Sequence, residues 1–256
     1  MSKSKGTTLN CFSPPVMLAT LTIEGALAVY TLWRYKMTIA ARLITSIFVC
    51  LGVFQLAEYF VCTGYGIPAE QWSRVGFVAI TILPALGIHL MHVLAGKPNR
   101  KLVATAYATM AGYVGVFSLY HSALNGHQCT GNYVIFQIGN TLGGLYSLYY
   151  FGWLFIGIGL GAYWANKLME SGASHRKQLE TVRGLIVGYL VFLVPVALAN
   201  FVRPETRRGI PSIMCGFAVI LAFILAGYIL PRAGELKVSE IDLKKESSEH
   251  HSRGGS

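Results

Sequence analysis

Seven apolar stretches, near residues 14–34, 39–62, 74–96, 102–122, 133–160, 183–202 and 210–230, alternate with short polar segments along the chain. Each reaches the roughly 20 residues a helix needs to cross a bilayer core of ~30 Å. The pattern predicts an all-α polytopic membrane protein, a seven-transmembrane-helix bundle whose short loops make sequential helices antiparallel neighbours. The chain divides into a short extracytoplasmic N-terminus (1–13), the transmembrane domain (14–230) and a polar cytoplasmic tail (231–256). Lys244, Lys245 and Glu246, then Ser, His and Gly, predict disorder in that tail. The apolar run from Val16 to Trp33 exceeds a signal-peptide core and lacks a small-residue cleavage site, so the first helix is expected to stay.

Composition agrees with lipid as the solvent: 54% of the 256 residues are apolar, only 12% are charged, and the mean hydropathy is +0.51. The net charge of +10 would suit nucleic acid if it were clustered, but its placement follows topology. The loops after helices one, three and five hold ten basic residues: Arg34, Lys36, Arg42, Lys97, Arg100, Lys101, Lys167, Arg176, Lys177 and Arg183. The opposite loops hold Arg74, Arg203, Arg207 and Arg208, while Lys3 and Lys5 stand on the N-terminus. Basic residues prefer the cytoplasmic side, which gives an N-out/C-in protein integral to the plasma (cytoplasmic) membrane. The expected partners are the bilayer and its anionic lipids, not nucleic acid.

Cysteine placement fits the same orientation. Cys11, Cys62, Cys129 and Cys215 fall at outer helix ends or in outer loops, and Cys50 sits within the second span. Four thiols on the oxidising side can form one or two disulfides, remain unpaired core residues, or bind metal without the close spacing that marks such sites; three pairings are open. Within the spans, Gly139, Gly143, Gly144, Gly157 and Gly161 have small-xxx-small spacing for close helix contact. Pro84 and Pro195 bend helices three and six and free carbonyls near Ile80 and Val191, which need partners at membrane depth. Tyr146, Tyr149, Tyr150 and Trp153 occupy neighbouring faces of helix five, as pocket lining or as packing with hydroxyls bonded to backbone.

The polar residues inside the spans are few, so each is informative. Their terminal turns aside, the stretches hold two carboxylates, Glu24 and Glu58, three histidines, His89, His92 and His121, and no Lys or Arg. A carboxylate at a helix centre costs roughly 2.5–3.5 kcal/mol on insertion scales and must face the interior. Gln55, Glu58 and Cys62 share one face of helix two, with Tyr59 beside them, in the outer third of the membrane. His121, Gln137, Asn140, Asn200, Ser212 and Cys215 lie at comparable depth on other helices, which describes an outward-opening polar pocket. Glu58 there holds a proton, a cation or a ligand amine, or else simply bonds Gln55 or a backbone carbonyl. Glu24 lies near the middle of helix one. His89 and His92, at i and i+3, can share a face and with a carboxylate bind a metal or haem, or can be hydrogen-bonded core histidines.

Three segments carry a family resemblance: Cys11-Phe12-Ser13-Pro14, Phe54-Gln55-Leu56-Ala57-Glu58, and Pro211-Ser212-Ile213-Met214-Cys215-Gly216-Phe217-Ala218. Together they resemble an uncharacterised bacterial multi-pass membrane-protein family whose members open with Met-Cys-Phe-Ser. Here ten residues precede the cysteine. The resemblance implies a multi-helix membrane fold with Cys11, Gln55, Glu58 and Cys215 among its motif positions, and no activity. The layout is also similar to the seven-helix input regions of some bacterial sensor kinases, although no output domain follows helix seven. Retinal proteins need a lysine in the last helix, and zinc-dependent seven-helix hydrolases of the ceramidase kind need histidines there; neither is present.

The sequence therefore favours a receptor-like or sensory protein that binds a small ligand or cation around Glu58, passing its signal to a membrane or cytoplasmic partner. The alternatives are an intramembrane metal- or haem-dependent enzyme using His89, His92, Glu24 and Glu58, a proton-coupled transporter, and a structural subunit.

Overall fold

The computed structural model describes residues 14–129, 134–170, 175–202 and 209–234. The N-terminal segment with Cys11, Lys3 and Lys5, the loop holding Arg203, Arg207 and Arg208, and the tail from 235 onward lie outside the described residues. Among the described residues, seven helices are long and apolar enough to cross a membrane: α1 (Pro14–Arg34), α2 (Ile39–Thr63), α3 (Ala69–Ala95), α4 (Arg100–Leu119), α5 (Asn140–Glu170), α6 (Arg176–Val202) and α7 (Ile210–Ala233). Their ends are written in the sequence. Thr38 accepts the Ala41 N–H at 3.3 Å to start α2, and Asn99 accepts the Leu102 N–H at 3.2 Å to start α4. Gly64 and Gly96 end α2 and α3 at φ of 66° and 62°, a left-handed conformation that costs glycine little.

Hydroxyls inside the helices satisfy themselves locally. Thr20, Thr31, Thr45, Ser73 and Thr81 each donate to a carbonyl one turn earlier, which keeps them compatible with an apolar surround. The helices pack around α3, which touches α2, α4, α5 and α6, while α7 returns against α1 and α2 to close the bundle. Burial follows that order. Of the most apolar window of each helix, 72% is buried for α3 and 11% for α4, so α4 presents most of its surface outward.

One element differs from the helical reading. Residues Val134–Ile138, expected to open a helix at 133, instead form strand β2, paired antiparallel with β1 (Leu124–Cys129), and α5 begins at Asn140. Short apolar runs do not separate strand from helix by periodicity, and the β-branched Val134, Ile135 and Ile138 favour the strand. Helix four likewise ends at Leu119, before a short 3₁₀ turn at His121–Ala123. The other end of α5 runs on to Glu170, and α3 and α6 start earlier than their apolar runs, at Ala69 and Arg176.

The turn before Pro84 is bonded from helix five. Tyr149 donates its hydroxyl to the Thr81 carbonyl at 2.7 Å, and the Tyr146 hydroxyl lies 3.1 Å from Thr81 Oγ1, so helix five supplies polar partners to the turn before Pro84. Close helix contact falls at only part of the glycine stripe. A Cβ at Gly157 would meet Ile88 at 3.4 Å and one at Gly161 would stand 2.8 Å from Met91, whereas Gly139 and Gly144 have nothing within 4 Å. The tightest approach is between α3 and α6, where a methyl on Gly87 would overlap the buried Tyr189 hydroxyl. Gly87→Ala is expected to destabilise the bundle by ~1–3 kcal/mol through overpacking. Thermal unfolding in detergent checks this against Gly112→Ala, which meets nothing within 4 Å and is expected to be neutral or slightly stabilising.

Candidate functional site

The β-hairpin covers one end of the bundle. A disulfide between Cys62, in the last turn of α2, and Cys129, at the end of β1, holds it there with Cα atoms 5.8 Å apart. Of the other two candidate cysteines, Cys215 is buried and free, and Cys11 lies outside the described residues.

Beneath the hairpin is a cavity of about 420 Å³. Both strands, α3, α5 and the first turns of α7 form its wall. Phe77 and Ile80 of α3 and Met214 of α7 supply apolar surface, while Gln128, Gln137, Asn140, Ser147, Tyr146 and Tyr150 supply amides and hydroxyls. None of the described side chains lining it is charged. Asn140, Gly143, Ser147 and Tyr150 follow one another at helical spacing, so a single face of α5 makes much of the wall. A smaller cavity of about 40 Å³ continues inward and shares Tyr150, Met214 and Cys215 with the first.

Behind this wall lies the carboxyl group expected at its centre. Glu58 is 1% exposed and does not line the cavity. It accepts a hydrogen bond from Ser212 at the start of α7, whose Oγ in turn accepts the Val134 N–H at 3.3 Å. Glu24 on α1, also fully buried, comes close enough to Glu58 for their charges to interact, and Cys215 interacts with both. The sequence residues thus sort into two groups. Gln137 and Asn140 belong to the cavity wall, Glu58, Ser212 and Glu24 to a carboxyl cluster, and Cys215 touches both.

The remaining candidates stand apart. Gln55 is buried on α2, three residues before Glu58. Tyr59 is half-buried against Phe60, with ring centroids 5.6 Å apart. Asn200, half-buried near the end of α6, does not line the cavity. The backbone of His121 lies in the 3₁₀ turn, and its side chain is outside what the structure describes. His89 and His92 turn to different neighbours: His89 Nδ1 lies 3.1 Å from the Tyr107 hydroxyl on α4, whereas His92 packs edge-on to Trp164 of α5. His92 donates from Nδ1 to the Ile88 carbonyl at 2.8 Å, and its Nε2 is buried with no hydrogen-bond partner among the described residues. Among the described residues no group of three or more His, Cys, Asp or Glu converges as a metal-ion set, with these histidines and Glu24 or elsewhere.

Two polar wall residues were not among the sequence candidates. Ser147 was legible, being seven residues beyond Asn140 on the same helical face. Gln128 was not, because its place depends on the strand register that sets it opposite Ile135. The second and third segments of the family resemblance meet in space through the Glu58–Ser212 bond. The first, Cys11–Ser13, lies outside the described residues apart from Pro14. No family model matches the chain, and no curated protein matches it.

Proposed function

We propose that the protein is a receptor-like membrane module that binds a small, uncharged, partly apolar molecule in the cavity under the hairpin, with that end facing the oxidising outer side. The reading rests on the cavity: its size falls in the range of small-molecule sites, and apolar and aromatic walls with a few convergent amides and hydroxyls are what such sites use. A charged ligand would gain no opposite charge from the lining. The N-out/C-in orientation has two supports. Disulfides persist on the oxidising side, where the Cys62–Cys129 bond would place the hairpin, and the ten basic loop residues gather at the opposite helix ends.

The test is a thermal-shift screen of the purified protein in nanodiscs against neutral small molecules, repeated with Ser147→Trp, which fills the cavity from α5. Compounds that stabilise the unaltered protein are expected to lose about tenfold or more in affinity in the variant. Equal stabilisation of both proteins, or hits confined to charged compounds, would remove the proposal.

A further inference from the structure

The wall of the cavity under the hairpin continues inward on two helices. Asn140, Gly143, Ser147 and Tyr150 of α5 line that cavity, and the next residue at the same spacing, Leu154, lines the inner cavity of about 40 Å³. On α7 the same steps run from Pro211 and Met214 under the hairpin to Ala218, Leu221 and Leu225 in the inner cavity. Each stripe covers a rise of ~21 Å along its helix axis. Tyr150, Met214 and Cys215 line both cavities and stand where one gives way to the other.

The chemistry changes along these stripes. Under the hairpin, Gln128, Gln137, Asn140 and Ser147 offer hydrogen bonds. Of the described side chains lining the inner cavity, only Tyr150, Tyr189 and Cys215 carry a polar hydrogen, and the rest of the lining is Leu, Ile, Phe, Met, Ala and Gly. Neither cavity is lined by a described charged side chain. A hydrogen-bonding group placed in the inner cavity would give up partners it has in water. Water itself needs about two to four polar partners to stay in such a space. A hydrocarbon end meets neither penalty. Met214, with an unbranched and flexible side chain, stands where such a chain would pass and can adapt to it. A compact molecule under the hairpin would leave the inner cavity empty, whereas an elongated one fills both.

We propose that the molecule bound under the hairpin is a neutral single-chain amphiphile, its hydrogen-bonding head against Gln137, Asn140 and Ser147 and the end of its tail between α5 and α7 in the inner cavity. This rests on the reading of the hairpin cavity as a binding site, and the experiment separates the two. The probes are 1-alkylglycerols from ethyl to dodecyl, titrated into the full chain in nanodiscs, with each dissociation constant corrected for partitioning into empty nanodiscs. Corrected affinity is expected to rise about fourfold per methylene up to a limiting tail length and no further. Ala218→Val, which adds two methyl groups to the inner cavity, is expected to shorten that limit. Leu154→Ala, which removes part of the wall, is expected to lengthen it, and both variants bind the shortest members as before. A flat length series, or a limit that neither variant moves in its stated direction, overturns the proposal. Should no alkylglycerol bind while compact neutral compounds do, and these lose affinity in Ser147→Trp, the amphiphile is overturned and the receptor reading stands. Should neither kind bind, both fall. If the two inner-cavity variants do not fold, a 1-alkylglycerol carrying a diazirine at its tail end decides with the unaltered protein. Labelling of Leu154, Ala218 or Leu221 supports the inner seat, and labelling confined to other residues overturns it.

Discussion

Cys129→Ser is expected to loosen the hairpin, lower the thermal unfolding midpoint by several degrees and weaken binding under the hairpin by about tenfold or more. The bond spans 67 residues of sequence, so the closed loop contains all of α3 and α4. Chain-entropy arguments assign a loop of that length about 4 kcal/mol, but they assume a freely coiling reference. In a bilayer the helices persist when tertiary contacts are lost, so the effect should concentrate on β1 and β2, which have no membrane-spanning helix of their own to hold them. Cys62→Ser and the double serine variant are expected to match the single variant, since all three remove one bond. The freed Cys62 also reports orientation. In a Cys11→Ser background, a membrane-impermeant thiol reagent added to intact cells should label Cys129→Ser and not the disulfide-bonded protein. Labelling that appears only after permeabilisation would reverse the proposed topology.

Much of the bundle was legible because long apolar runs broken by short polar segments leave a chain few choices. The apolar runs place all seven helices. What escaped was the hairpin. Val134–Ile138 continues the hydrophobicity of helix five, and only its pairing with β1 makes it a strand. That error propagates to the site. Depth along the chain groups Gln137, Asn140 and Cys215, which line one cavity, with Glu58, which does not, because depth carries no information about rotation around the bundle. Glu58 therefore turns out to face Ser212 and Glu24 rather than the cavity. The spacing of His89 and His92 allows a shared face, yet three residues correspond to a rotation large enough for one ring to reach α4 and the other α5.

Ser212→Ala is expected to cost ~2–5 kcal/mol, more than most single-atom deletions, because one hydroxyl serves two buried groups. Ser212 is 1% exposed; it accepts from the Val134 N–H, itself fully buried, and donates to Glu58. Its loss leaves both without a partner in surroundings where water cannot substitute, at ~1–3 kcal/mol for each. The same hydroxyl joins α7 to β2 and α2, so its removal should also detach the hairpin from the helices behind it. A double-mutant cycle separates this from simple loss of packing. Glu58→Leu removes the acceptor, and in that background Ser212→Ala should cost less, the remaining loss being that of the Val134 bond. Reversible unfolding in mixed detergent measures all four proteins. Strict additivity would mean that the Ser212–Glu58 bond carries no energy, and the link between the hairpin and the carboxyl cluster would go with it.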